Sequence, residues 1–127
     1  MKMKHDIDPA KEIRDRVGDL EDFDVLGNWL LLGIYVRSKV TASGIHLPDQ
    51  TRQEDVHQGK AALVLKRGKS AFVSDSHRDF LGEEAKIGEW VCIHVTDGRK
   101  LIINGQICRL ARDEDVIMKI PSPDIIF

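Results

Sequence analysis

After Asp24 the apolar residues gather into short strand-like runs: Trp29 to Val36, Ala61 to Lys66, Glu89 to Val95, Lys100 to Ile103, Gln106 to Leu110 and Val116 to Ile120. Asn104-Gly105 lies between two of these runs, and both residues tolerate the positive φ of a type I′ turn, so a hairpin is expected there. Asp97-Gly98 reads as a second turn of the same kind. Many short strands with little helix between them predict an all-β chain, a small antiparallel barrel or sandwich closed so that few edges are bare. One helix precedes them. Asp8 can cap it, Pro9 fits its first turn and Gly18 can end it, while Ala10, Ile13, Val17 and Leu20 recur on one stripe. So short a helix is marginal alone and needs a surface to lie against. Its own barrel, a neighbouring subunit or another protein could each supply that surface.

Two polar intervals interrupt the pattern. From Lys39 to His57 the residues are mostly small, polar or charged, too poor in apolar side chains to offset the entropy of ordering them. Ile45 and Leu47 stand out in their midst. Long connections without structure of their own are usually functional or disordered, and this one reads as a mobile docking loop (39–57) carrying an apolar hook. The second interval, 68–84, reads as a solvated loop anchored by Phe72 and Phe80. At the end of the chain, Pro121 and Pro123 cannot extend a strand. Ile125, Ile126 and Phe127 would be an exposed liability on a monomer, so they are expected to pack against something such as an adjacent subunit. The organisation is thus a helical extension over 1–24, a β domain over 25–120 and a tail over 121–127.

Composition narrows the function. A length of 127 residues suits one domain, and 42% hydrophobic with 31% charged residues permits a modest core. A net charge of -2 gives no electrostatic reason to bind nucleic acid or an anionic membrane. The longest apolar run, Trp29 to Val36, is too short to span a bilayer, and residues 1–6 lack the apolar stretch of a signal peptide. A cytoplasmic protein is the expectation. Cys92 and Cys108 both fall in strand-like runs and read as buried thiols of a reducing compartment, with a disulfide or a metal role as the alternatives. The sequence holds no Gly-rich phosphate loop, Cys/His metal spacing or nucleophile elbow. Asp75, His77 and Asp79 alternate and would share one side of an extended segment, a weak metal signal whose ordinary reading is a solvated polar loop. Glu83-Glu84 and Asp113-Glu114-Asp115 read as charged turns. Neither catalysis nor a cofactor is expected.

With these features in order, the chain from about Asp24 to Ile120 resembles the GroES family of co-chaperonins. Leu30-Leu31-Leu32-Gly33-Ile34-Tyr35-Val36-Arg37 is similar to the family's first strand. Thr41-Ala42-Ser43-Gly44-Ile45-His46-Leu47-Pro48 resembles its mobile-loop motif, a small-residue turn followed by an apolar tripeptide. Gly59 to Leu65 looks like the following strand, and Lys86-Ile87-Gly88-Glu89-Trp90-Val91 like its "KxGD-V" segment. Gly105 to Arg109, with Arg112 to Ile117, looks like its closing strand and final acidic turn. The resemblance implies a small, partly open GroES-like β-barrel with a short N-terminal helix, assembled as a homo-oligomer, a heptamer, that caps a GroEL-type chaperonin ring. The partner, not this chain, would use ATP. Ile45, His46 and Leu47 would contact the chaperonin, and Gly44 would supply the turn presenting them. His46 departs from the pattern, since the family usually has an aliphatic residue there; an extended segment would still put Ile45 and Leu47 on one side. The extensions through Glu21 and from Pro121 look like those of co-chaperonin relatives encoded by tailed bacteriophages. The alternative is therefore a GroES-fold virion component that contacts capsid proteins. A barrel adaptor for some other partner is a third reading.

Overall fold

The computed structural model describes residues 3–37, 41–49, 52, 60–94 and 98–126. One helix, α1 (Pro9–Val17), precedes six strands: β1 (Trp29–Ile34), β2 (Ala61–Arg67), β3 (Trp90–Ile93), β4 (Arg99–Ile103), β5 (Gln106–Arg112) and β6 (Val116–Ile120). They form one antiparallel sheet in the order β4-β5-β1-β2-β3-β6. The hairpin at Asn104-Gly105 is present, with φ of 49° and 81°, and joins β4 to β5. The second turn expected, at Asp97-Gly98, lies partly outside the described residues, which lack Asp97; the strands on either side of it, β3 and β4, lie in opposite halves of the sheet and do not pair as a hairpin. Closure is not reached either. Among the described residues β4 pairs only with β5 and β6 only with β3, so both remain edges.

β1 lies in the middle, buried on both sides from Leu30 to Ile34. Strand alternation divides its residues between two cores. Leu30, Leu32 and Ile34 join Ala62, Val64, Val91 and Ile93 on one face, which Ala71, Phe72 and Ala85 of the β2–β3 connection cover. Leu31 and Tyr35 join Leu63, Leu65, Trp90 and Cys108 on the other, where Ala10, Ile13 and Val17 of α1 pack. The helix therefore lies on its own sheet. Asp8 caps it by accepting from the Lys11 amide at 3.3 Å, and Gly18 ends it with φ 74°. Gly33 is what lets the helix settle. A Cβ there would sit 2.6 Å from Cγ2 of Ile13 and 3.2 Å from Cδ1 of Leu65, so any side chain would force this contact between helix and strand to rearrange. Among the described residues no helix is long and apolar enough to cross a membrane.

Candidate functional site

The segment predicted to dock begins as a hydrogen-bonded turn. The Thr41 amide donates to the Ile45 carbonyl at 2.8 Å, and the Gly44 amide donates to the Thr41 carbonyl at 3.0 Å. The Thr41 hydroxyl accepts from the Ile45 amide at 3.0 Å and lies 3.0 Å from the Ser43 hydroxyl. Thr41 is 2% exposed and anchors the turn, a role that its small polar side chain did not signal in the sequence. Gly44 adopts φ 90°, the left-handed region glycine occupies at least cost, and no atom lies within 4 Å of where its Cβ would be. Backbone conformation, not crowding, is the reason for glycine there.

The turn points Ile45 outward, 63% exposed, with His46 also exposed. Leu47 behaves differently. It is half-buried and packs against the core cluster that contains Met3, Tyr35 and Trp90. Ile45 and Leu47 thus do not form a common outward face in this arrangement: Ile45 stands exposed at the end of the turn, whereas Leu47 is drawn onto the core. In the tail, Ile125 is 58% exposed while Ile126 packs half-buried against the same core. One of the residues expected to meet a neighbour is therefore already in contact with its own chain; Phe127 lies outside the described residues.

The second polar interval is built quite differently. Asp113, which read as part of a charged turn, is 1% exposed and acts as a hub. Its carboxylate accepts from the Phe72 amide at 3.0 Å, Asn28 Nδ2 at 3.1 Å, the Glu114 amide at 2.7 Å and Arg78 Nη1 at 2.7 Å. Phe72 and Phe80 meet edge to face at 5.6 Å, and the guanidinium groups of Arg67 and Arg78 lie over their rings. The two aromatics do anchor this interval. The oxygens of Asp75 and Asp79 are engaged in local turns. Asp75 accepts from the His77 and Arg78 amides, which hold its carboxyl below the usual carboxylate range, and Asp79 accepts from Ser74 Oγ and the Leu81 amide.

Cys92 and Cys108 are free thiols, half-buried and buried. Burial pushes the Cys108 thiol up to about 11, away from the reactive thiolate form. An apolar groove of about 710 Å³ runs beside the β4–β5–β1 end of the sheet, with Phe23, Leu26, Trp29 and Leu101 among its walls and Arg99 and Arg112 beside them. Phe23 and Leu26 are exposed there, and on the opposite edge β6 exposes Ile117 and Met118. The sequence matches no family model, and no curated protein is a match for it.

Proposed function

We propose that this chain is a GroES-type co-chaperonin subunit that caps a GroEL-type chaperonin through an apolar arm and has no chemistry of its own. The observation that carries this reading is Ile45, held 63% exposed at the end of a turn between the first two strands. A large aliphatic side chain fixed outward by a dedicated turn is suited to a pocket on another molecule. A six-stranded antiparallel sheet with bare edges is compatible with a partly open barrel protomer. Two surfaces suit neighbours in a ring: the β6 edge with Ile117 and Met118, and the groove beside Phe23 and Leu26.

The energetics favour many copies. Burying Ile45 and Leu47 gains about 1.5–3 kcal/mol each. Ordering each flexible backbone residue costs about 1–2 kcal/mol. One arm is then a weak ligand, whereas several on one ring engage together and can still release one at a time. Leu47 must first leave its own core, which weakens a single arm further. The expected assembly is a heptamer working in the cytoplasm, with ATP bound by the partner. The virion reading rests on the two extensions. Since α1 lies on this chain's own sheet and Ile126 on its own core, that motivation is reduced.

The test is chaperonin-dependent refolding with Ile45→Ser plus Leu47→Ser. The expected result is loss of assisted refolding and of the co-complex in native mass measurements with nucleotide. Assistance equal to that of the unaltered protein removes the proposal.

A further inference from the structure

The segments before α1 and after β6 converge on one carboxylate. Asp124 lies in a short turn, Pro123–Ile125, where its amide donates to the Ser122 hydroxyl. Its side chain is 12% exposed. Three groups reach it from different parts of the chain: the Met3 amide donates at 3.3 Å, the Tyr35 hydroxyl donates at 2.5 Å, and His5 Nε2 lies 3.0 Å away. His5 Nε2 also lies 3.2 Å from the Tyr35 hydroxyl, so the three side chains form one polar cluster. The rings continue inward edge to face, His5 to Tyr35 at 5.8 Å and Tyr35 to Trp90 at 6.0 Å. Met3, 2% exposed, pairs antiparallel with Thr41. Thr41 is the residue whose hydroxyl and carbonyl hold the turn that presents Ile45.

We propose that Asp124 and Met3 form a clasp that pins the root of the docking arm at Thr41. The role of the clasp in docking rests on the co-chaperonin reading; its existence does not. The β1–β2 connection leaves the sheet after Tyr35, whose amide donates to the Ala61 carbonyl at 3.0 Å. Without a further anchor, the free arm would begin there and explore a volume that grows with its length. Pinning Thr41 moves the hinge outward, shortens the free part and keeps Ile45 pointing away from the body. Less conformational freedom is then lost on docking, which favours binding. Neither residue is placed to touch the partner. Met3 is buried and Asp124 nearly so, which makes them positioning residues for Ile45.

Amide hydrogen exchange on the full chain, without any partner, tests the clasp. In the unaltered protein the amides of Met3, Thr41 and Ile45 are expected to open together at one rate. Asp124→Ala should speed all three by about tenfold or more while amides across β1 and β5 keep their protection. Asp124→Asn, which retains an acceptor oxygen, should recover most of the loss. Unrelated rates for the three amides in the unaltered protein overturn the clasp even if Asp124→Ala fails to fold. So do unchanged Thr41 and Ile45 rates in a folded Asp124→Ala. The same samples are then mixed with a GroEL-type chaperonin and ATP. Weaker docking by Asp124→Ala supports the positioning role, and equal docking despite faster exchange overturns it. Failure of the unaltered protein to dock, with the three amides still opening together, removes the co-chaperonin reading and leaves the clasp standing.

Discussion

The connection between β1 and β2 and the connection between β2 and β3 look alike in the sequence, both polar, long and sparsely apolar, yet the structure treats them differently. The second is fastened to the body through the buried Asp113, which gathers Phe72, Arg78 and Asn28. It also closes one of the two cores with Ala71, Phe72 and Ala85. The described part of the first has no buried charge to gather it; it is held by the turn at Thr41, by the pairing of Thr41 with Met3 and by Leu47, and it leaves Ile45 exposed. Polarity alone does not tell an anchored connection from a presented one. The difference lies in what the distant contacts are: the second connection supplies part of a core and binds a buried carboxylate, as the pairing of Phe72 with Asp113 illustrates.

Breaking the anchored connection should have the largest effect. Asp113→Ala leaves Arg78, Asn28 and the Phe72 amide facing a site without their shared acceptor, and removing one partner of a buried pair costs about 3–5 kcal/mol. Urea unfolding should register a loss of that size. Asp113→Asn, which keeps one acceptor oxygen, should lose less. In the arm, Leu47→Ser exposes a half-buried contact and should cost about 1–2 kcal/mol by the same measurement. A cost as large as that of Asp113→Ala would mean that the arm is part of the core after all.

Acid offers a smaller and more local contrast. The folded Asp75 carboxyl is held below its ordinary value of 3.8 by the His77 and Arg78 amides. Stabilisation from a depressed carboxylate is present above that value and is lost as pH falls through the folded one. Amide exchange at His77 and Arg78, corrected for intrinsic rates, should therefore lose protection below pH 3.8, and Asp75→Asn should abolish the dependence. The smallest effect on stability belongs to Ile45→Ser. An exposed side chain contributes within about 0.5 kcal/mol, so unfolding should be nearly unchanged. A large destabilisation would show that Ile45 serves the fold and would end its assignment as a docking residue.

Much of the framework was legible because it depends on neighbours along the chain. Asp8, Pro9 and Gly18 bracket the helix through local backbone chemistry, and Asn104-Gly105 specifies its turn by φ preference alone. The strand runs were also readable, with ends that moved by a residue or a few: β1 stops at Ile34 and β5 continues to Arg112. Within the candidate site, Gly44 and Ile45 were legible for the same reason, since a turn and an apolar residue in a polar stretch are local signals. Thr41 was missed because its importance comes from Met3. Asp113 was misjudged because acidic residues at a turn ordinarily face water, and nothing nearby in the sequence shows Phe72 and Arg78 arriving from the other side.

The sequence by itself determined which segments are extended, where the chain turns and which side chain stands alone in a polar stretch, since propensity, capping and periodicity act over a few residues. Only the tertiary structure decided that the sheet stays open, that α1 rests on Gly33, that Leu47 turns inward while Ile45 turns out, and that Asp124 gathers Met3, His5 and Tyr35. Those outcomes follow from packing and hydrogen-bond satisfaction between residues far apart in the chain, where burial requires every donor and acceptor to find a partner that local sequence does not name.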